Sequence, residues 1–114
     1  MTRRAVVLTT DPGTGELLAL WLGRAGFEVV ATARGGEAAR ALDDGGAELM
    51  VLDRVHPHWS GLGTIQAIKR RHPGIRVLVA GLRPDDPFLP LARAVGADAV
   101  VPAPLDRQRV MAYV

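Results

Sequence analysis

Short apolar runs return at near-regular intervals along the chain: Ala5-Val6-Val7-Leu8, Phe27 to Ala31, Leu49 to Leu52, Val77 to Ala80, and Ala99-Val100-Val101. The first, third and fourth are apolar at every position rather than alternating. Strands covered on both faces read this way, and parallel sheets flanked by helices bury both faces. The second run carries Glu28 and the fifth is very short, which places these two at sheet edges. The stretches between the runs have helical spacing. Leu17, Leu18, Trp21, Leu22 and Ala25 mark a first helix ended by Gly26, and Ala38, Ala41 and Leu42 a second stopped by Gly45-Gly46. Leu62, Ile65 and Ile68 mark a third closed by His72-Pro73-Gly74, and Leu91, Ala92 and Val95 a fourth ended by Gly96. Val110, Met111 and Val114 begin a fifth. Strands alternating with helices predict an α/β (βα)5 domain in three layers, with a parallel sheet and right-handed crossovers. Pro84, Pro87 and Pro90 crowd the loop before the fourth helix, which is therefore expected to be short, to start near Pro90 and to follow an extended lead-in.

Composition narrows the class. A chain of 114 residues, 48% apolar and 23% charged, suits one globular domain spanning 1–114. The absence of cysteine excludes disulfides, thiolate metal sites and thiol nucleophiles. Arg3-Arg4 precede an apolar stretch that Asp11 ends too early for a signal peptide, and no run approaches the roughly 18 residues of a membrane helix. A soluble cytoplasmic domain, with no membrane partner, is the expectation. Fourteen basic against twelve acidic residues leave a net charge of +2. Thirteen of the bases are arginine, which with the abundant alanine fits a GC-rich bacterial genome. The densest cluster, Lys69-Arg70-Arg71-His72, closes the third helix, where cations meet the negative end of the dipole. No aromatic residue interleaves with it, which favours a solvated helix end over direct nucleic-acid binding.

Chemistry in an open parallel sheet collects beyond the carboxyl ends of its strands, where the strand order reverses. Two weak edges fit the order 2-1-3-4-5, and the reversal then lies between the first and third strands. Thr9, Thr10 and Asp11 follow the first, and Asp53 ends the third. A carboxylate emerging from a buried strand is either functional or needs a partner.

At these residues the sequence resembles the receiver domain of two-component response regulators, the CheY-like proteins, over its whole length. Val51-Leu52-Asp53, followed by Pro57 and Gly61, matches the strand and loop around the phospho-accepting aspartate. Gly26-Phe27-Glu28-Val29 matches the turn into the second strand, and Gly36-Glu37-Ala38 the opening of the second helix. Gly96-Ala97-Asp98 matches the turn before the fifth strand, and Pro104 the proline of a lysine-proline pair. The resemblance implies a flavodoxin-like fold, a signalling role rather than an enzymatic one, and a cis Ala103-Pro104 bond. It also implies protein partners, a histidine kinase or an output domain among them, with no output domain in this chain. Met1 reads as a natural start, and Val114 stops the fifth helix early for such a domain. A homodimer face is implied around Leu91 to Val95, Val100-Val101 and Arg107 to Val114.

The departures from that family are specific. Its two Mg²⁺-holding acidic positions fall on Thr9 and Thr10, with Asp11 displaced one residue onward. Its switch hydroxyl falls on Ala80, its switch aromatic on Val100 and its lysine on Ala103, so Asp53 alone of these positions is kept. Placing a phosphoryl group on a carboxylate brings two anions together, and the site must neutralise that charge. Threonine hydroxyls carry none, so Mg²⁺ binding is expected to be weak or absent, with no other cofactor. The expected role is that of an atypical receiver acting as a regulatory or protein-interaction module without conventional Mg²⁺-dependent aspartyl phosphorylation. The alternative is a conventional receiver phosphorylated on Asp53 by a histidine kinase. Arg54 or Arg83 is a candidate to pair with Asp53 in place of the metal. Asp11 reads as a cap for the first helix with Pro12 at its start. His56 and His58, flanking Pro57, lack helical ligand spacing and read as loop histidines rather than metal ligands. Trp59 covers the rim or meets a partner. A remoter alternative is a fragment of a nucleotide-binding enzyme, from Thr10-Asp11-Pro12-Gly13-Thr14-Gly15. There the glycine pattern fails at Leu18, and Tyr113 and Lys69, the one tyrosine and one lysine, are no adjacent catalytic pair.

Overall fold

The computed structural model describes residues 3–53 and 62–114. Strands β1 (Arg3–Leu8), β2 (Phe27–Thr32), β3 (Ala47–Asp53), β4 (Arg76–Leu82) and β5 (Ala99–Pro102) alternate with helices α1 (Pro12–Arg24), α2 (Gly35–Asp43), α3 (Leu62–Arg71), α4 (Phe88–Ala94) and α5 (Arg107–Met111). All neighbouring strands are parallel and lie in the order β2-β1-β3-β4-β5, as the run pattern predicts. The sheet divides the core in two. Val6, Leu8, Met50, Leu52, Val77 and Val79 face Ala38 and Leu42 of α2, Ile65 of α3 and Ala92 of α4. Their strand neighbours Ala5, Val7, Leu49, Val51, Leu78 and Ala80 face Leu18 and Leu22 of α1 and Val110 of α5. Successive strand residues thus serve opposite cores, which is why the central runs contain no polar position.

One glycine alters that alternation. Between Ala80 and Leu82 the register of β4 against β5 slips, so that Ala80 pairs with Val101 and Leu82 with Pro102. Gly81, at φ 82°, absorbs the extra residue in a backbone region open to glycine. The slip returns Leu82, fully buried, to the α2–α4 core beside Val79. The Ala103-Pro104 bond is cis, as expected.

The fourth helix is short, but its start differs from the expectation. α4 begins at Phe88 rather than near Pro90, and its lead-in is a turn, with the Asp86 amide donating to the Arg83 carbonyl at 3.0 Å. Asp86 Oδ1 accepts from the Phe88 amide at 2.8 Å. Pro87 takes the cap position and Pro90 the third helical one, where an amide has no partner within the helix and a proline forfeits no bond.

The basic end of α3 is tied down, not merely solvated. Arg71 and His72 reach Asp43 at the end of α2, at 2.8 and 3.2 Å. Lys69 Nζ donates to the Ile75 carbonyl at 2.8 Å and to Asp98 Oδ2 at 2.9 Å, and that same oxygen accepts from the Val77 amide at 2.8 Å. Partial burial raises the Asp98 pKa. The hydrogen bonds from Lys69 and the Val77 amide, with the charges of Lys69 and Arg76, more than offset this and hold it below its ordinary value. A carboxylate depressed on folding stabilises above its unfolded pKa of about 3.9 and loses that contribution as pH falls through the folded value. Asp98→Asn is therefore expected to cost about 0.5–1 kcal/mol at pH 7, the half-exposed pair being screened by solvent. The gap from the wild type should begin to narrow as pH falls below about 4 in urea titrations. A gap that does not narrow between about pH 5 and pH 3 would assign the loss to packing.

Candidate functional site

The carboxyl ends of β1 and β3 lie side by side. Leu8 pairs with Leu52, so the next residues along, Thr9 and Asp53, meet at the rim. Both are polar and nearly closed to solvent, at 6% and 5% exposure, within an otherwise apolar interior. The Thr9 hydroxyl donates to Asp53 Oδ2 at 2.5 Å and accepts from the Asp11 amide at 3.1 Å. The Thr9 amide donates to the Thr32 carbonyl at 3.0 Å, which anchors the residue to β2 as well. Its methyl group lies against α1 at Gly15, where a β-carbon would stand 3.3 Å from Thr9 Cγ2. A small residue in the first turn of α1 thus lets the threonine stand upright between helix and sheet.

Asp11 is the N-cap of α1. Its Oδ1 accepts from the Gly13 amide at 3.2 Å and its Oδ2 from the Thr14 hydroxyl at 2.6 Å, with Pro12 opening the helix. The Thr14 hydrogen bond leads in holding its carboxyl below the usual range; desolvation works against it, and the Gly13 and Thr14 amides add to the lowering. Thr10 is exposed. A cleft of about 350 Å³ opens between the start of α1 and the end of β2, lined by Thr9, Thr10, Glu16 and Thr32; Asp53 is not part of its wall.

Of the remaining described candidate positions, the strand register brings Ala80 beside Asp53. Ala80 is buried on the α1–α5 side. Val100 is buried on the opposite side, under α4. Ala103 is half-buried and donates its amide to the Leu82 carbonyl at 2.6 Å. Arg83 does not pair with Asp53. It lies 3.4 Å from Asp85, both side chains largely exposed, because the turn from Arg83 to Asp86 carries it away from the strand ends. Arg54, His56, Pro57, His58, Trp59 and Gly61 lie outside the described residues. Among the described residues no three histidine or carboxylate side chains gather where a metal would be held. Thr9 as the partner of Asp53 is what sequence reasoning missed. The one signal for it is a threonine, rather than an apolar residue, directly after β1.

Residues 6–114 match the response regulator receiver domain family. The chain belongs to that family. A DNA-binding response regulator, MtrA of Mycolicibacterium smegmatis, is 25% identical over all 114 residues of this chain. The chain spans about half the length of that relative, 50%. Among solved structures, the receiver domain of the TMAO respiratory system response regulator TorR superposes with a TM-score of 0.86 at 23% identity, covering 96% of this chain and 91% of that one. A receiver domain protein from Clostridium thermocellum gives the same TM-score at 19% identity, covering 97% and 90%. Receivers are signalling modules of two-component systems. No helix among the described residues is long and apolar enough to cross a membrane.

Proposed function

We propose that this receiver works as a regulatory protein-interaction module, and that Asp53 is not a conventional Mg²⁺-dependent phospho-acceptor. The observation that carries the reading is the Thr9–Asp53 hydrogen bond, a neutral donor on the acceptor carboxylate where the family places an acidic residue. Magnesium requires oxygen ligands in strict octahedral geometry, with carboxylates supplying the charge. Around Asp53 the hydroxyl of Thr9 is engaged on both sides, and both carboxylate oxygens of Asp11 are committed to the cap. Among the described residues, that donor set does not suit the ion. Ala80 and Ala103 offer neither a hydroxyl nor a cation to phosphoryl oxygens. What the residues do instead is fix Asp53 into the rim, leaving signals to travel through partner contacts of a cytoplasmic regulator.

The second reading, phosphorylation of Asp53 by a histidine kinase, rests on the aspartate itself being kept at the end of β3. Incubation with acetyl phosphate and Mg²⁺ followed by intact-mass measurement separates the two. We expect no phosphoryl adduct above the level seen with Asp53→Ala. A stoichiometric adduct that this substitution abolishes would establish the second reading.

A further inference from the structure

β2 and β5 are the two edges of the sheet, and they are unequally protected. β5 is four residues long, ends on Pro102 and lies beside the register slip at Gly81. Short length, proline and a bulge are devices that keep an edge from pairing further. β2 runs six residues, Phe27 to Thr32, without proline or lysine, and its register against β1 is unbroken. Its one charge, Glu28, is already met by Arg4 at 3.3 Å. The Thr9 amide donates to the Thr32 carbonyl, so in this regular parallel ladder Glu28, Val30 and Thr32 turn their backbone groups towards β1. Phe27, Val29 and Ala31 turn theirs outward, where no turn, loop or helix among the described residues hydrogen-bonds to them. Ala31 is exposed, and Val29 and Val30 are only half-buried. β2 is thus an unguarded, largely apolar edge.

We propose that β2 pairs with β2 of a second copy of this chain, antiparallel about a two-fold axis through Val29, to make one continuous sheet. Parity fixes the register. Only outward-facing residues can exchange hydrogen bonds across the edge, and the register that uses all three sets Val29 against Val29 and Phe27 against Ala31. No like charges then stand opposite one another, since Glu28 falls across from Val30. The helix above the edge leaves room. Ala19 of α1 borders Ala31 in the cleft beside β2, and one turn on, a β-carbon at Gly23 would meet nothing within 4 Å. The two-fold axis sets the second α1 on this same side of the sheet. Closure decides the occupant. The pairing consumes both β2 edges and leaves only the two protected β5 edges outside, so assembly stops at two copies. A strand from another protein would use the same backbone groups, but the chain's own β2 already supplies the matching length, neutrality and register.

Sedimentation velocity of the full chain should show a concentration-dependent dimer. Ala31→Pro removes an outward amide and no bond to β1, and should weaken that dimer by about tenfold or more. Arg3 lies 4.3 Å from the centroid of the Phe27 ring. Ala31→Lys therefore brings a cation to Arg3 of the second copy and should also weaken the dimer, and Ala31→Glu should weaken it less. Denaturation midpoints check that the variants fold; if Ala31→Pro does not, the lysine and glutamate variants decide. The chain has no cysteine, so single cysteines report the geometry. The α-carbons of a hydrogen-bonded antiparallel pair lie about 5.5 Å apart, within the roughly 4.4–6.8 Å that a disulfide spans. Val29→Cys should cross-link to a dimer under copper–phenanthroline oxidation. Ala31→Cys, which faces Phe27 instead of its own copy, should not, nor should Leu91→Cys on α4. The inference is overturned by a monomer at every concentration, by a dimer indifferent to position 31, by cross-linking at Leu91→Cys in preference to Val29→Cys, or by open-ended assembly. The inference goes beyond the reading of Asp53, and none of these substitutions touches Thr9 or Asp53. A failure here leaves that reading standing, and a phosphoryl adduct on Asp53 would leave the dimer result unchanged.

Discussion

Thr9→Asp is expected to cost the domain about 3–5 kcal/mol at pH 7.5 and much less at pH 4.5. The wild-type rim solves a specific problem, a carboxylate at 5% exposure, by giving it a hydroxyl donor at 2.5 Å. The substitution replaces that donor with a second carboxylate at a position itself 6% exposed, and solvent cannot separate the two charges. In such a pair one group keeps its proton well above the ordinary carboxylate range. The sign follows: stability is intact below the unfolded pKa of about 4 and is lost as pH rises through the raised folded value. Urea denaturation of variant and wild type at the two pH values gives the difference directly. Adding Thr10→Asp supplies the second acid expected from the resemblance to receivers, and millimolar Mg²⁺ should then recover stability at pH 7.5, since a ligand that binds only the folded state favours it. The wild-type midpoint should not respond to Mg²⁺. A Thr9→Asp protein equally stable at both pH values, relative to wild type, would mean that the two side chains do not share a site.

What the sequence discloses and what it hides divide along physical lines. The central strands and their order are legible because burial on two faces leaves uninterrupted apolar runs, while Glu28 betrays an edge. The proline-rich entry to α4 misleads because a rule for helix interiors is applied to a first turn, whose amides have no helical acceptor. Gly81 is invisible as a slip because a glycine within an apolar run looks like weakened strand; only pairing with β5 shows the extra residue. The basic end of α3 reads as solvated because its partners Asp43 and Asp98 lie 28 and 29 residues from Arg71 and Lys69, where no local pattern reaches. Thr9 belongs to the same class. Identity alone presents it as an acidic position lost, whereas the β1–β3 register makes it the donor to Asp53.

That distinction sets the size of the effect expected for Thr9→Val, a change of similar shape that deletes only the hydroxyl. Two groups then lose a partner: the buried Asp53 carboxylate, and the Asp11 amide at the turn into α1. Hydrogen bonds to charged groups contribute about 1.5–3 kcal/mol, and withdrawing one from a buried carboxylate incurs its desolvation, so a loss of about 2–3 kcal/mol is expected. If Thr9 merely fills space, the same loss should appear whatever stands at position 53. If it serves the carboxylate, Thr9→Val in an Asp53→Ala background should cost about 1 kcal/mol or less, the remainder reflecting the Asp11 amide. The double-mutant cycle by chemical denaturation therefore yields a coupling of about 1–2 kcal/mol, and strict additivity would sink the assignment. Thr9→Ser supplies the complementary arm, since it keeps the hydroxyl and gives up only the methyl contact with Gly15. A carboxylate whose burial depends on its neighbour's hydroxyl is a structural member of the rim. Chemistry at Asp53 Oδ2 would have to compete with the Thr9 hydroxyl for that oxygen.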